Sequence, residues 1–202
     1  MPTAREALLD AALSALTIRP WPTVRMVDVA SAAGVSRQTL YNEFGSKDGL
    51  ARALVRHAAD GYLAGVERAL GSPGGTGDRV AATALWTVRA ARTNALVRAL
   101  LTGCWSERLP RPVRLTAPAG SSVPAQRRAD AGPPTPVELL GLVCDRAVAA
   151  LDEGRPPRDS AALATTCEVA MRLALSYAVA ASALPTDAAP LVREVVERWP
   201  AA

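Results

Sequence analysis

Apolar residues recur along most of this chain with the three-to-four spacing of helices, and glycines and prolines interrupt them. Between Arg5 and Leu16 the stripe is Leu8, Leu9, Ala12, Leu13 and Leu16, which predicts a first helix with one buried face. Pro20 and Pro22 forbid its continuation and leave Thr17 to Pro22 as a connector. A second helix starts between Thr23 and Met26 and carries Val27, Ala30 and Ala33. Gly34 then supplies a backbone that tolerates positive φ at a sharp turn. Val35 fills the angle, and Ser36 suits the N-cap of a short third helix, Arg37 to about Glu43. Ser46, after Gly45, caps a long helix that runs to Leu70 and ends in Gly71, Ser72 and Pro73.

The remaining two thirds of the chain read as further helices. Residues 72–78 (SPGGTGD) form a hinge-like loop. Helical patterning resumes at about Asp78, a candidate N-cap, and reaches Leu101 with a break near Arg92 to Asn94. From Cys104 to Pro134 the periodicity vanishes among Pro, Gly, Ser and Arg, which predicts a long basic loop or a lid over a cavity. Pro136 to about Glu153 is helical, with Pro in its first turn. Pro156 and Pro157 separate it from a helix over Ser160 to about Ser182, and Asp187 caps a last one, Ala188 to Trp199. The fold class expected is all-α.

Composition narrows the function. Half of the 202 residues are hydrophobic, with Ala and Leu filling the long segments. No run of 18 uncharged apolar residues occurs, and the first ten residues are charged and amphipathic rather than a signal peptide. No membrane partner and a cytoplasmic location are expected. Cys104, Cys144 and Cys167 are widely spaced, and His57 is the single histidine, so neither a metal site, a disulfide framework nor a cofactor is expected. A redox role for Cys104 is the alternative to a packing role. No nucleophile–base pair or phosphate loop is present, and an enzyme is not expected. The net charge of +4 permits nucleic-acid binding without establishing it, because basic and acidic residues balance over the first fifty positions. Lys47 is the one lysine in a chain that otherwise uses arginine.

Placement says more than bulk charge. Helix, turn with Gly, helix at this length is the helix-turn-helix unit, whose second helix enters the DNA major groove. Leu40 and Phe44, four apart, face inward with Val35 and Ala30, so Arg37, Gln38, Thr39, Tyr41 and Asn42 face outward. Arg reads guanine and Gln reads adenine, whereas Thr39 and Tyr41 suit phosphates. Lys47 adds charge at the start of the next helix.

The stretch AAGVSRQTLYNEFGSKDGL resembles the DNA-binding signature of TetR-family transcriptional regulators, with Gly34, Val35, Leu40, Tyr41, Phe44 and Lys47 at the expected offsets. The string SRQTLYNEFGSK is similar to that of actinobacterial-type members tied to alkane or fatty-acid metabolism. Trp21 falls where the family places an aromatic over the small core. The family's Ser or Thr N-cap of the second helix is replaced by Arg25, so either Thr23 caps a longer helix or Arg25 is held for a phosphate.

The resemblance implies a helix-turn-helix domain over 1–50 and a helical effector-binding and dimerisation domain over 51–202. The DNA-contacting set is Arg25, Ser36, Arg37, Gln38, Thr39, Tyr41, Asn42 and Lys47. The partners implied are a double-stranded palindromic operator, a second copy of the chain, and a small-molecule effector, lipid-like by the same similarity, that releases a repressor. Trp86, Arg89, Leu100, Leu101, Trp105, Leu139, Leu142 and Val143 are the candidate pocket lining, and Leu173, Tyr177, Leu191 and Val195 the candidate dimer contacts. A ligand-independent DNA-binding protein or an activator is the alternative.

Overall fold

The computed structural model describes residues 3–111, 133–151, 157–180, 190 and 192–194. Among them the regular structure is helical, without strands. The chain divides into two compact units: the described residues of the first are 3–59, 105–111 and 133, and the second takes 60–104 and the later helices. The division falls nine residues beyond the boundary placed at Leu50.

In the first unit α1 spans Ala4–Ile18, longer than the stripe required at both ends. Thr3 and Glu6 cap each other: the Glu6 amide donates to the Thr3 hydroxyl (3.2 Å) and the Thr3 amide to the Glu6 carboxylate (2.7 Å). Those Thr3 donors hold the Glu6 carboxyl below its usual pKa. A single 3-10 turn, Trp21–Thr23, follows. Then come α2, Met26–Ala32, and α3, Arg37–Phe44. The long helix α4, Lys47–Leu70, begins in this unit and ends in the second. Thr23 does not cap α2: its hydroxyl donates to the Pro20 carbonyl at 2.8 Å, and Arg25 is the N-cap through its backbone alone. The unit's core is Leu8, Leu9 and Ala12 from α1, Trp21 and Val24 from the connector, Val29 and Ala30 from α2, Leu40 and Phe44 from α3, and Leu50 and Leu54 from α4.

The second unit contains α5, Thr76–Thr93, and α6, Ala95–Thr102, which share Asn94 as a joint. The Asn94 side chain accepts from the Leu96 and Val97 amides (3.0 and 3.2 Å) and so restarts the helix that the sequence break anticipated. Asp78 is not the N-cap of α5. It lies one turn inside, and its carboxylate accepts the Gly75 amide at 3.2 Å. The helix α7 spans Pro136–Leu151, with a Thr135–Glu138 capping box ahead of it. The helix α8 spans Pro157–Val179, so Pro157 opens this helix where a separator was expected. α8 packs on α5 and α7, and α6 on α5 and α7.

The segment Ser160–Val179 is apolar and long enough to cross a membrane, with mean hydropathy 1.2, yet it carries the Glu168–Arg172 ion pair at 2.6 Å. Some 28% of its apolar window is buried, and most of the other residues are half-buried. The last predicted helix falls mainly outside the described residues, although 190 and 192–194 are helical. Of the 104–134 loop, residues 112–132 lie outside the described set.

Candidate nucleic-acid interface

Two glycines and two hydroxyls build the helix-turn-helix. Gly34 takes φ 68°, which lets the Val35 amide return to the Ala30 carbonyl (3.0 Å) and closes α2. The Ser36 hydroxyl accepts the Thr39 amide at 3.0 Å and lies 2.8 Å from the Thr39 hydroxyl, fixing the first turn of α3. Gly45, φ 69°, ends α3 with its amide on the Tyr41 carbonyl at 2.8 Å. Ser46 caps α4 by accepting the Gly49 amide at 3.1 Å. Gly49 has a second role: a Cβ there would overlap the Phe44 carbonyl, so the α3–α4 corner closes only on a residue without a side chain.

Leu40 and Phe44 are buried beneath α3. On the other side Arg37, Gln38, Tyr41 and Asn42 are exposed, and Thr39 is half-buried against its cap. Gln38 donates from Nε2 to the Asn42 Oδ1 at 2.9 Å, one turn on. The pair therefore presents two adjacent amides in a fixed relation, with the Gln38 carbonyl and the Asn42 amino group left to meet a base edge. Ser36 and Arg25 are exposed, and Arg37 and Arg25 carry no ion pair among the described residues.

The acidic side chains between Met26 and Phe44 are Asp28 and Glu43, and both are neutralised from outside the motif. Arg19 pairs with Asp28 at 3.1 Å, and Arg5 with Glu43 at 3.4 Å while its guanidinium stacks 4.8 Å from the Phe44 ring. These exposed pairs contribute little to stability, under about 1 kcal/mol each. They change the field: Arg25 at the entry of α2 and Arg37 on α3 stand without competing carboxylates. Neither partner was picked out by its sequence position.

Lys47 is less free than its place at a helix start suggests. Its ammonium donates to the Pro22 carbonyl at 2.9 Å and lies 5.3 Å above the Trp21 ring, and burial pulls its pKa below the ordinary value. The Trp21 indole is buried as the cover of the small core.

The candidate pocket residues are only partly brought together. Leu100, Leu101, Leu139 and Val143 are buried in the second unit. Trp86 is half-buried there, its indole flat against Gly65, its Nε1 donating to the Tyr62 carbonyl at 3.0 Å and its ring 5.9 Å from the Arg68 guanidinium. Arg89 and Leu142 are exposed, because the buried repeats Val80–Ala84–Val88–Ala91 and Leu139–Val143–Ala147–Leu151 place them on the outer sides of α5 and α7. Trp105 belongs to the first unit. Polar side chains buried in the second unit include Tyr62, whose hydroxyl lies 3.0 Å from that of Thr87, Thr87 itself, which donates to the Thr83 carbonyl at 2.9 Å, and Thr83, which donates to the Arg79 carbonyl at 2.8 Å. Burial raises the Tyr62 pKa to about 12. Leu173 and Tyr177 are half-exposed on α8, whose C-terminal turn receives Arg92 on the Tyr177 carbonyl at 3.1 Å. Leu191 and Val195 lie outside the described residues. His57 is exposed, as are Cys104 and the outer face of α4 around it.

Residues 8–54 match the family described as bacterial regulatory proteins, tetR family. The HTH-type transcriptional regulator AlkX of Mycobacterium tuberculosis is 46% identical over 66 residues, 33% of this chain and 31% of that protein. The HTH-type transcriptional repressor LfrR of Mycolicibacterium smegmatis is 43% identical over 65 residues, 32% of this chain and 33% of that protein. The match thus spans about a third of the length of these curated relatives. Over the whole chain the fold is that of solved regulators: one from Streptomyces coelicolor A3(2), 18% identical, superposes with a TM-score of 0.58 over 98% of each chain. Over residues 8–54, then, a helix-turn-helix with a closed hydrophobic underside and a polar outer face matches the tetR family of bacterial regulatory proteins.

Proposed function

We propose that this chain is a one-component repressor that binds a palindromic operator as a homodimer and is released by a small molecule held in the second unit. The observation that carries the DNA-reading part is the outer face of α3, where Arg37 has no ion pair among the described residues and Gln38 and Asn42 hold one another. Arg37 and the Gln38–Asn42 pair read base edges in the major groove, the Gln38–Asn42 amides suiting adenine and Arg37 guanine. Tyr41, Thr39, Ser36 and Arg25 take phosphates and set the register. Lys47 reaches a phosphate with the ammonium protons that the Pro22 carbonyl leaves free.

Dimerisation is supported by α8, an apolar helix on which Leu173 and Tyr177 stay half-exposed. Two such copies place two α3 helices about one DNA turn apart. The name of LfrR supports repression over activation. The interior of Leu100, Leu101, Leu139 and Val143, with the hydroxyls of Tyr62 and Thr87, supports a largely apolar, lipid-like effector. An effector acts by binding one of two arrangements more tightly than the other. One observation favours the ligand-independent reading: every buried side-chain polar atom among the described residues already has a partner.

The test is selection of bound duplexes from a random pool, followed by Gln38→Ala against the selected operator and random DNA. A base reader loses about 1–3 kcal/mol on its cognate base pair and relaxes preference there. Equal losses on both DNAs would end the assignment of Gln38. Native mass spectrometry of the purified protein decides the effector question: two chains with a co-purifying apolar molecule support release by ligand, and two bare chains that still bind the operator support the second reading.

A further inference from the structure

The chain passes between its two compact units within α4 and again between Cys104 and Trp105. The second passage is short and fixed at both ends. On one side α6 terminates at Gly103, φ 73°, whose amide returns to the Ala99 carbonyl at 2.9 Å and whose Cα faces Pro136 closely enough that a Cβ would lie 3.5 Å from that ring. On the other side residues 106–109 close a turn through the Leu109 amide and the Ser106 carbonyl (3.1 Å), and the Arg111 guanidinium donates to the Trp105 carbonyl at 3.3 Å. Pro110 is buried. The Arg108 carbonyl accepts the Trp21 amide at 2.8 Å. Trp21 is the residue beneath Lys47, and the neighbouring Pro22 carbonyl receives the Lys47 ammonium. The connector between α1 and α2 is therefore gripped twice, by the first residue of α4 and by residues 105–111.

We propose that residues 105–111 are a strap that carries the state of α6 to the α1–α2 connector, a line of communication separate from α4. Only Cys104 and Trp105 lie between the fixed end of α6 and the docked turn, and a residue spans at most about 3.6 Å. So little chain leaves small scope to absorb a displacement of α6, which passes to the carbonyl holding Trp21 and from there to the entry of α2. The inference rests on the proposed effector response, because it names the route by which an occupied second unit loosens the DNA-reading one. It is read without ligand or DNA, so the two can fail separately.

The experiment is hydrogen exchange by mass spectrometry on the full-length protein, following a peptide over residues 19–25. Val97→Ala perturbs α6 from its buried side, and Leu100→Ala perturbs it more strongly. Each is made in the natural chain and in a chain with two glycines inserted between Cys104 and Trp105, which adds about 7 Å of slack and deletes no docked residue. The expected result is that Val97→Ala speeds exchange at 19–25 by about five-fold or more, the lower edge of ordinary coupling between sites. The glycine insertion removes that increase while leaving the unperturbed peptide as protected as before. Should Leu100→Ala fail to fold, Val97→Ala decides alone. No change at 19–25 on perturbing α6, or an increase that survives the insertion, overturns the strap.

Discussion

At Gly49 the geometry permits one residue type. A methyl group there would run into the Phe44 carbonyl of the preceding helix, which is backbone and cannot swing aside. Gly49→Ala is expected to destabilise the protein by about 1–3 kcal/mol, the usual cost of overpacking. A urea melt checks this, and an unchanged midpoint would show that the corner can open without penalty. Two buried groups in the second unit predict the alkaline limb of stability. Burial raises Cys167 from 9.0 to about 12, and Tyr62 from 10.0 to about 12 despite its bond to Thr87. Both are held neutral in the folded state beyond the pH at which they ionise when unfolded. Their stabilisation is therefore whole below pH 9 and is lost as pH rises from there to about 12. The urea midpoint should decline from pH 9 upward, and Cys167→Ala should flatten the first part of that decline. With a thiol reagent at neutral pH, exposed Cys104 should react first and Cys167 only after unfolding.

The short helix α3 depends on its ends more than on its propensity. With eight residues, α3 is too short to persist alone in water, and capping and burial hold it. Ser36 stabilises its start and Leu40 anchors its underside. Ser36→Ala is expected to cost about 1 kcal/mol of stability, and Leu40→Ala about 2–5 kcal/mol. If Ser36 also touches a phosphate, Ser36→Ala weakens every duplex alike, whatever its sequence, in a binding titration. The helices of the second unit follow the same logic with different devices: Asn94 restarts α6, Thr135 and Glu138 open α7, and Trp86 lies in the notch that Gly65 leaves on α4.

At the scale of the molecule, charge is arranged by distance in space and not along the chain. The first fifty residues are nearly balanced, yet Arg5 and Arg19 remove the two carboxylates of the helix-turn-helix from play. Arg5→Ala should therefore weaken operator binding without Arg5 touching a base, and Glu43→Gln in the same protein should restore most of the loss. Independent effects in that double-mutant cycle would mean the pair does not act through its charge. Lys47 poses the same question in another form. If it reaches a phosphate, Lys47→Ala lowers the slope of log affinity against log salt by about one. If its work is confined to Pro22 and Trp21, the slope holds while the melting temperature falls.

The order of helices, the turn at Gly34, the caps at Ser36 and Ser46 and the inward pair Leu40 and Phe44 were legible in the sequence, because each depends on neighbours within a few residues. Those local rules determined the helix-turn-helix, and its residues 8–54 match the tetR family model. Tertiary structure alone decided which carboxylates are silenced, since Arg5 meets Glu43 from 38 residues away. It decided that Arg89 and Leu142 lie outside the second unit's interior, because a shift of one residue in helical phase turns a side chain from core to solvent. It also brought the Arg108 carbonyl to the Trp21 amide. A carbonyl has no side-chain signature, and nothing in a string of residues announces which distant backbone group it will find.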